Sequence, residues 1–135
     1  MILYLLDTNI VSYFVKGTSP SLVQRMQAGV DAQDIAISAI TRAELRYGVE
    51  MMDKFDKRRK RIDLLLQELQ ALPWSIKAAD EFGQIKAYLR RHGRLVGEFD
   101  TQIAAHALAE KLILVTHNTR HFENIPGLKL EDWMA

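Results

Sequence analysis

The chain has 135 residues, within the size range of one compact domain, and 48% of them are apolar, enough to build a packed core and too many for a disordered segment. Eighteen Lys and Arg stand against 17 Asp and Glu, so no global field draws the protein to nucleic acid as a histone is drawn, and any such contact must rest on local charge. The absence of cysteine excludes disulfides, thiolate chemistry and cysteine-held zinc, and predicts a cytoplasmic setting.

Ile2-Leu3-Tyr4-Leu5-Leu6 is a short continuous apolar run, the pattern of a strand buried on both faces of a parallel sheet. It is too short for a signal-peptide core or a membrane span, and Asp7 ends it. Asn9 to about Val15 and Ser21 to about Gln27 read as short helices, Asp34 to Ser38 as a second strand, and Thr41 to Met52 as helix again. Within Arg59 to Gln70, Ile62, Leu65, Leu66 and Leu69 recur at the spacing of one buried helical face, which ends before Pro73. Ser75 to His92 repeats the stripe with Ala78, Phe82, Ile85 and Leu89, and Gly93 is placed to close it with a left-handed cap.

A further helix is predicted from about Phe99 to Glu110, where Ala104, Ala105, Ala107 and Ala109 are small enough to let it lie close to a neighbour. Leu112 to Val115 is the third credible strand and Leu128 to Leu130 a weaker fourth. Trp74 and Trp133 read as packing anchors. No repeat or linker interrupts the pattern, and Pro20, Pro73 and Pro126 are local punctuation, so residues 1–135 are expected to form a single domain. Strands alternating with helices predict right-handed crossovers and an α/β class, a central parallel sheet flanked by helices on both faces. Ligands of such sheets bind beyond the carboxyl ends of the strands, the zone of Asp7 and of Thr116 to Asn118.

Three acids fall near strand ends or helix starts. Asp7 directly follows the first strand, where it suits a ligand site and equally a helix N-cap. Glu44 completes Thr41-Arg42-Ala43-Glu44, a capping-box pattern; if Ser38 is the cap instead, Glu44 lies further into the helix and is free to face a cleft. Asp100 opens the alanine-rich helix, a position the helix dipole favours for any carboxylate. Each acid has a structural explanation alone, but the convergence of three from distant segments, with no Lys or Arg beside Asp7 or Asp100, points to a metal site. Mg²⁺, with Mn²⁺ as a substitute, suits one or two direct carboxylates and retained waters. Zinc does not fit, since His92, His106, His117 and His121 lack ligand spacing. His106 reads as a packed or surface residue, and His117 and His121 as loop residues within reach of a ligand. Two basic stretches, one over Lys54 and Lys57 to Arg61 and the other over Arg90, Arg91, His92 and Arg94, could contact phosphates or simply be solvated helix ends.

Four stretches in order carry a family resemblance: Tyr4-Leu5-Leu6-Asp7-Thr8-Asn9, Ser38 to Gly48 around Glu44, Gly97-Glu98-Phe99-Asp100-Thr101-Gln102-Ile103-Ala104-Ala105-His106-Ala107, and Leu114 to Phe122 with Pro126-Gly127-Leu128 and Glu131-Asp132-Trp133. Over nearly its whole length the chain resembles PIN-domain ribonucleases of the VapC toxin type. The resemblance implies a metal-dependent endoribonuclease acting on structured RNA, with transfer RNA favoured, in which Asp7 and Asp100 hold the metal and Glu44 completes the catalytic cluster. Thr8 and Thr116 are expected to brace the carboxylates and Asn9 the loop below. Asn118 stands where many PIN domains have a fourth acid, leaving one or two ions open, with Glu98 a weaker stand-in. A VapB-type antitoxin, a homodimer and no membrane contact are further expectations. Two alternatives are a degenerate PIN-like module that binds RNA or protein without cleaving, and a phosphate-receiver switch, which lacks its acceptor Asp after Ile35 to Ser38.

Overall fold

The computed structural model describes residues 1–135. Five short strands, β1 (Tyr4–Leu6), β2 (Ile35–Ser38), β3 (Gln70–Leu72), β4 (Ile113–Val115) and β5 (Leu130–Glu131), pair in parallel in the order β3-β2-β1-β4-β5. The helices are α1 (Thr8–Lys16), α2 (Pro20–Ala32), α3 (Ala39–Met51), α4 (Lys57–Glu68), α5 (Ile76–Arg91), α6 (Glu98–Glu110) and α7 (Thr119–Phe122).

Because β1 is hydrogen-bonded on both sides, Leu5 and Leu6 are fully buried, and their alternation divides the core in two. Leu6, Ile35, Ile37 and Val115 pack against Ile10, Val11, Leu22, Met26, Leu45 and Leu66 from α1 to α4. Leu5 and Leu114 face Ile85, Leu89, Ile103 and Phe122 from α5, α6 and α7. Helices therefore cover both faces of the sheet, as the alternating pattern predicts. The alanines of α6 are buried as expected, and they let it lie along α5. Gly93 adopts φ +65; its N–H donates to Arg90 O and that of Arg94 to Leu89 O, the paired bonds of a Schellman closure.

Several boundaries differ from the sequence reading. β1 starts at Tyr4 rather than Ile2. α2 runs to Ala32, well beyond Gln27, and stops at Gln33 in the left-handed conformation. α4 starts at Lys57, capped by Asp56, and gives way at Leu69 to extended backbone. Gln70 consequently belongs to β3, an edge strand absent from the sequence reading because it is three residues long, mostly exposed and without alternation. α7 is likewise too short to show a helical period, and the last strand pairs at Leu130–Glu131 instead of Leu128 to Leu130.

α3 and α4 close each other's ends. Arg59 of α4 donates to Val49 O and Met52 O at the end of α3, and Arg42 of α3 donates to Leu66 O at the end of α4, so carbonyls that lack helical partners are satisfied from the neighbouring helix.

Gly29 marks the closest approach of α2 to the sheet, since a Cβ there would lie 2.5 Å from Cγ2 of buried Ile35. Overpacking of this kind costs about 1–3 kcal/mol, more than the roughly 1 kcal/mol that alanine gains in a helix. Gly29→Ala should thus lower the urea midpoint, whereas Gly83→Ala in α5, with nothing within 4 Å, should raise it.

Candidate active site

The chain leaves β1 toward one edge of the sheet and returns through β4 on the other, so the carboxyl ends of β1 and β4 flank the point where strand order reverses. Asp7 occupies that point. Its N–H continues the ladder to Val115 O at 3.0 Å, and its side chain caps α1, with Oδ1 accepting from Ile10 N at 2.8 Å. The Thr116 hydroxyl donates to the same carboxylate and accepts the N–H of Asn118 at 3.1 Å. Capping and a ligand-edge position are thus combined in one residue.

Glu44 is not part of a capping box. Ser38 Oγ accepts from Ile40 N and caps α3, which begins at Ala39, so Glu44 falls in the second turn and faces α1. The Thr8 hydroxyl donates to Glu44 Oε1 at 2.7 Å and lies 3.2 Å from Thr41 Oγ1. Asp100 sits in the first turn of α6, whose cap residue Gly97 offers no side-chain bond, and Asp100 Oδ2 meets His121 Nε2 at 3.0 Å.

The three carboxylates are within electrostatic reach of one another. Burial, with 3% of Asp7 exposed, pushes its carboxyl up to about 6; the Thr116 and Ile10 bonds oppose this, and repulsion from Asp100 and Glu44 adds to it. Glu44 is also raised, first by partial burial and then by Asp100, against the Thr8 bond. No three His, Asp or Glu side chains close tightly enough to encircle an ion by themselves. A cation placed here would need further donors besides these carboxylates.

Beside Asp7 opens a cavity of about 250 Å³ lined by Asn9, Tyr13, Thr116, His117 and Asn118. The Asn118 side chain makes no capping bond to α7 and faces this space. Asn9, expected to brace the loop, is exposed in the first turn of α1, lines the cavity and makes no side-chain hydrogen bond. Glu98 is engaged by Lys86 at 2.6 Å on the surface. His117 bonds to Asp132, while His106 is fully buried with Nδ1 on Ser38 Oγ and is driven toward its neutral form by burial. The roles of His121 beside Asp100 and Thr41 beside Thr8 escaped the sequence reading. The sequence had put His121 within reach of a ligand as a loop residue but not on Asp100, and the Thr41-to-Glu44 pattern suggested a cap.

Comparison with known proteins agrees with this geometry. The PIN domain family matches residues 4–128. A protein described as ribonuclease VapC2 of Haemophilus influenzae is 41% identical over 134 residues, covering 99% of this chain and 100% of that one. The tRNA(fMet)-specific endonuclease VapC of Shigella flexneri is 38% identical over 133 residues, covering 98% and 99%. Among solved structures, VapBC2 of Rickettsia felis bound to a promoter DNA fragment superimposes with TM-score 0.88 at 34% identity, covering 98% of this chain and 99% of that chain.

The raised Asp7 carboxyl carries a stability cost with a definite sign. Below its ordinary value of 3.8 the group is protonated both folded and unfolded; between 3.8 and about 6 the folded state alone retains the proton, so stability falls as pH rises, and the full penalty stands above about 6. A change from 3.8 to about 6 corresponds to on the order of 3 kcal/mol. Asn caps helices as well as Asp does. In metal-free buffer Asp7→Asn should therefore melt above the parent at pH 7, with the gap closing toward pH 4; parallel melting curves across that range would contradict the assignment.

Proposed function

The chain belongs to the PIN-domain family, among its VapC ribonucleases, and from that membership we propose that it is the Mg²⁺-dependent endoribonuclease toxin of a toxin–antitoxin pair, acting on transfer RNA. RNA hydrolysis and dependence on a divalent metal come with the family. The choice of Mg²⁺ rests on all-oxygen donors with few direct carboxylates, and Mn²⁺ would substitute. The tRNA target rests on relatives such as the Shigella flexneri endonuclease and on the preference of RNA-cleaving sites for splayed loops. The observation that carries the reading is a buried Asp7 with Asp100 and Glu44 within electrostatic reach, a cluster whose charge a cation would relieve.

Asp7 and Asp100 would hold the ion, with Asn118 within reach of its waters. When bound, the ion supplies Lewis-acid polarisation of the scissile phosphate and acidifies water at the site. Glu44 accepts the proton of the attacking water at Oε2, since Oε1 is occupied by the Thr8 hydroxyl, and its raised pKa makes it a better base than an ordinary carboxylate. The water oxygen bonds to phosphorus as the bond to the leaving ribose oxygen breaks, and that oxygen departs with the electron pair and takes a proton from solvent water to become the ribose hydroxyl. Thr116 keeps Asp7 oriented, and His121 fixes Asp100 through Oδ2.

A VapB-type antitoxin partner follows the VapBC complex of Rickettsia felis, and a homodimer of this chain is part of the same proposal. No helix is long and apolar enough to cross a membrane. A cytoplasmic setting fits an RNA substrate and is part of the proposal.

The roles separate experimentally. Asp7→Asn and Asp100→Asn should abolish RNA cleavage and Mg²⁺ binding by calorimetry while the circular-dichroism spectrum stays native. Glu44→Gln should keep the metal and lose about 10²–10⁴-fold in cleavage rate. A fully active Asp7→Asn protein would end the proposal.

A further inference from the structure

The two basic stretches of the sequence have different surroundings in the fold. On α4, Arg59 is committed to the carbonyls that end α3 and Arg58 is paired with Asp56 at 2.7 Å, while Lys57, Lys60 and Arg61 are exposed and have no acidic partner. At the end of α5, Arg90 and Arg94 are exposed and have no acidic partner within bonding distance. They line a cavity of about 260 Å³ whose opposite wall is the first turn of α6, at Glu98 and Thr101. Asp100 lies between those two residues in sequence, so the cavity and the carboxylate cluster share one helical turn.

The charge balance of the cavity favours an anion. Glu98 is neutralised by Lys86, leaving two uncompensated guanidinium groups. Their placement is fixed by the helix ending: Gly93 turns the chain with φ +65, Arg94 N–H bonds back to Leu89 O, and His92 stacks on Tyr88 with ring centroids 4.1 Å apart. Leu95, which lines the cavity, is 96% exposed, and Phe99, in the first turn of α6 beside Asp100 in sequence, is 55% exposed. Unpaired guanidinium groups in a cavity walled by a helical turn that also carries an exposed aromatic residue match the demands of single-stranded nucleic acid, which offers phosphates and base faces together.

We propose that Arg90 and Arg94 form a subsite for a backbone phosphate of the RNA strand flanking the scissile bond, with Phe99 as a stacking surface for the adjacent base. This rests on the ribonuclease reading and adds which face grips the substrate. The equivalent charges on α4 do not take part.

The test is equilibrium binding of a fluorescein-labelled RNA stem-loop to the full chain in EDTA, followed by anisotropy over a series of NaCl concentrations. Each phosphate contact contributes roughly 0.7 to the slope of log affinity against log salt for a single strand. Arg90→Gln/Arg94→Gln should reduce the slope by about 0.7, the loss of one phosphate contact, Arg90→Lys/Arg94→Lys should restore it, and Lys57→Gln/Arg61→Gln should leave it at the parent value. Phe99→Ala should weaken binding without altering the slope. An unchanged slope in the Arg90→Gln/Arg94→Gln protein, or an equal reduction in the α4 variant, overturns the subsite; cleavage by the parent on adding Mg²⁺ would then leave the ribonuclease reading intact. A parent that neither binds nor cleaves the RNA overturns both.

Discussion

The central constraint is a carboxylate placed where water barely reaches it. With β1 paired on both sides and only three residues long, the next residue is held under the helices, and that residue is Asp7. The ionised form is opposed by burial and by two neighbouring acids, and the helix dipole, the Ile10 amide and the Thr116 hydroxyl offset only part of that opposition. Removing the remaining imbalance calls for a positive charge from outside the chain. The same strand that builds the centre of the core thus creates the demand for a ligand, so core and site cannot be designed independently.

Much of this was legible in the sequence because the signals are local. The continuous apolar run before Asp7 marks a central parallel strand, the alanines of α6 mark close packing, and Gly93 marks a helix end. The class and the three acids followed from those patterns together with the family resemblance. What was not legible depends on partners remote in sequence. Gln70–Leu72 becomes a strand only because β2 is available beside it, and its exposed residues leave no periodic trace. The choice between Ser38 and Thr41 as the cap of α3 decides where Glu44 points, and it is settled by Thr8, which lies 36 residues away from Glu44 and engages it. The placement of His121 required α7, whose four residues carry no detectable helical period.

Beneath the carboxylates runs a layer of buried polar contacts that ties the separate segments together. Thr8 joins α1 to α3 through Glu44, and His106 joins α6 to the start of α3 through Ser38 at 2.8 Å. The helices that carry Asp100 and Glu44 are therefore linked by a bond inside the protein rather than across the open site. His106 Nε2 has no partner in this interior, and an unsatisfied buried polar atom costs about 1–3 kcal/mol.

The exchange of arginines between α3 and α4 has a consequence for how the molecule breathes. Because each helix end is closed by a guanidinium rooted in the other helix, fraying of either one strips acceptors and donors from both. The hairpin should then open as a cooperative unit, and its slowest-exchanging amides should share one opening free energy, as in a foldon. Glu44 travels with that unit, so local melting on the far side of the hairpin reaches the catalytic edge without any contact passing through the sheet.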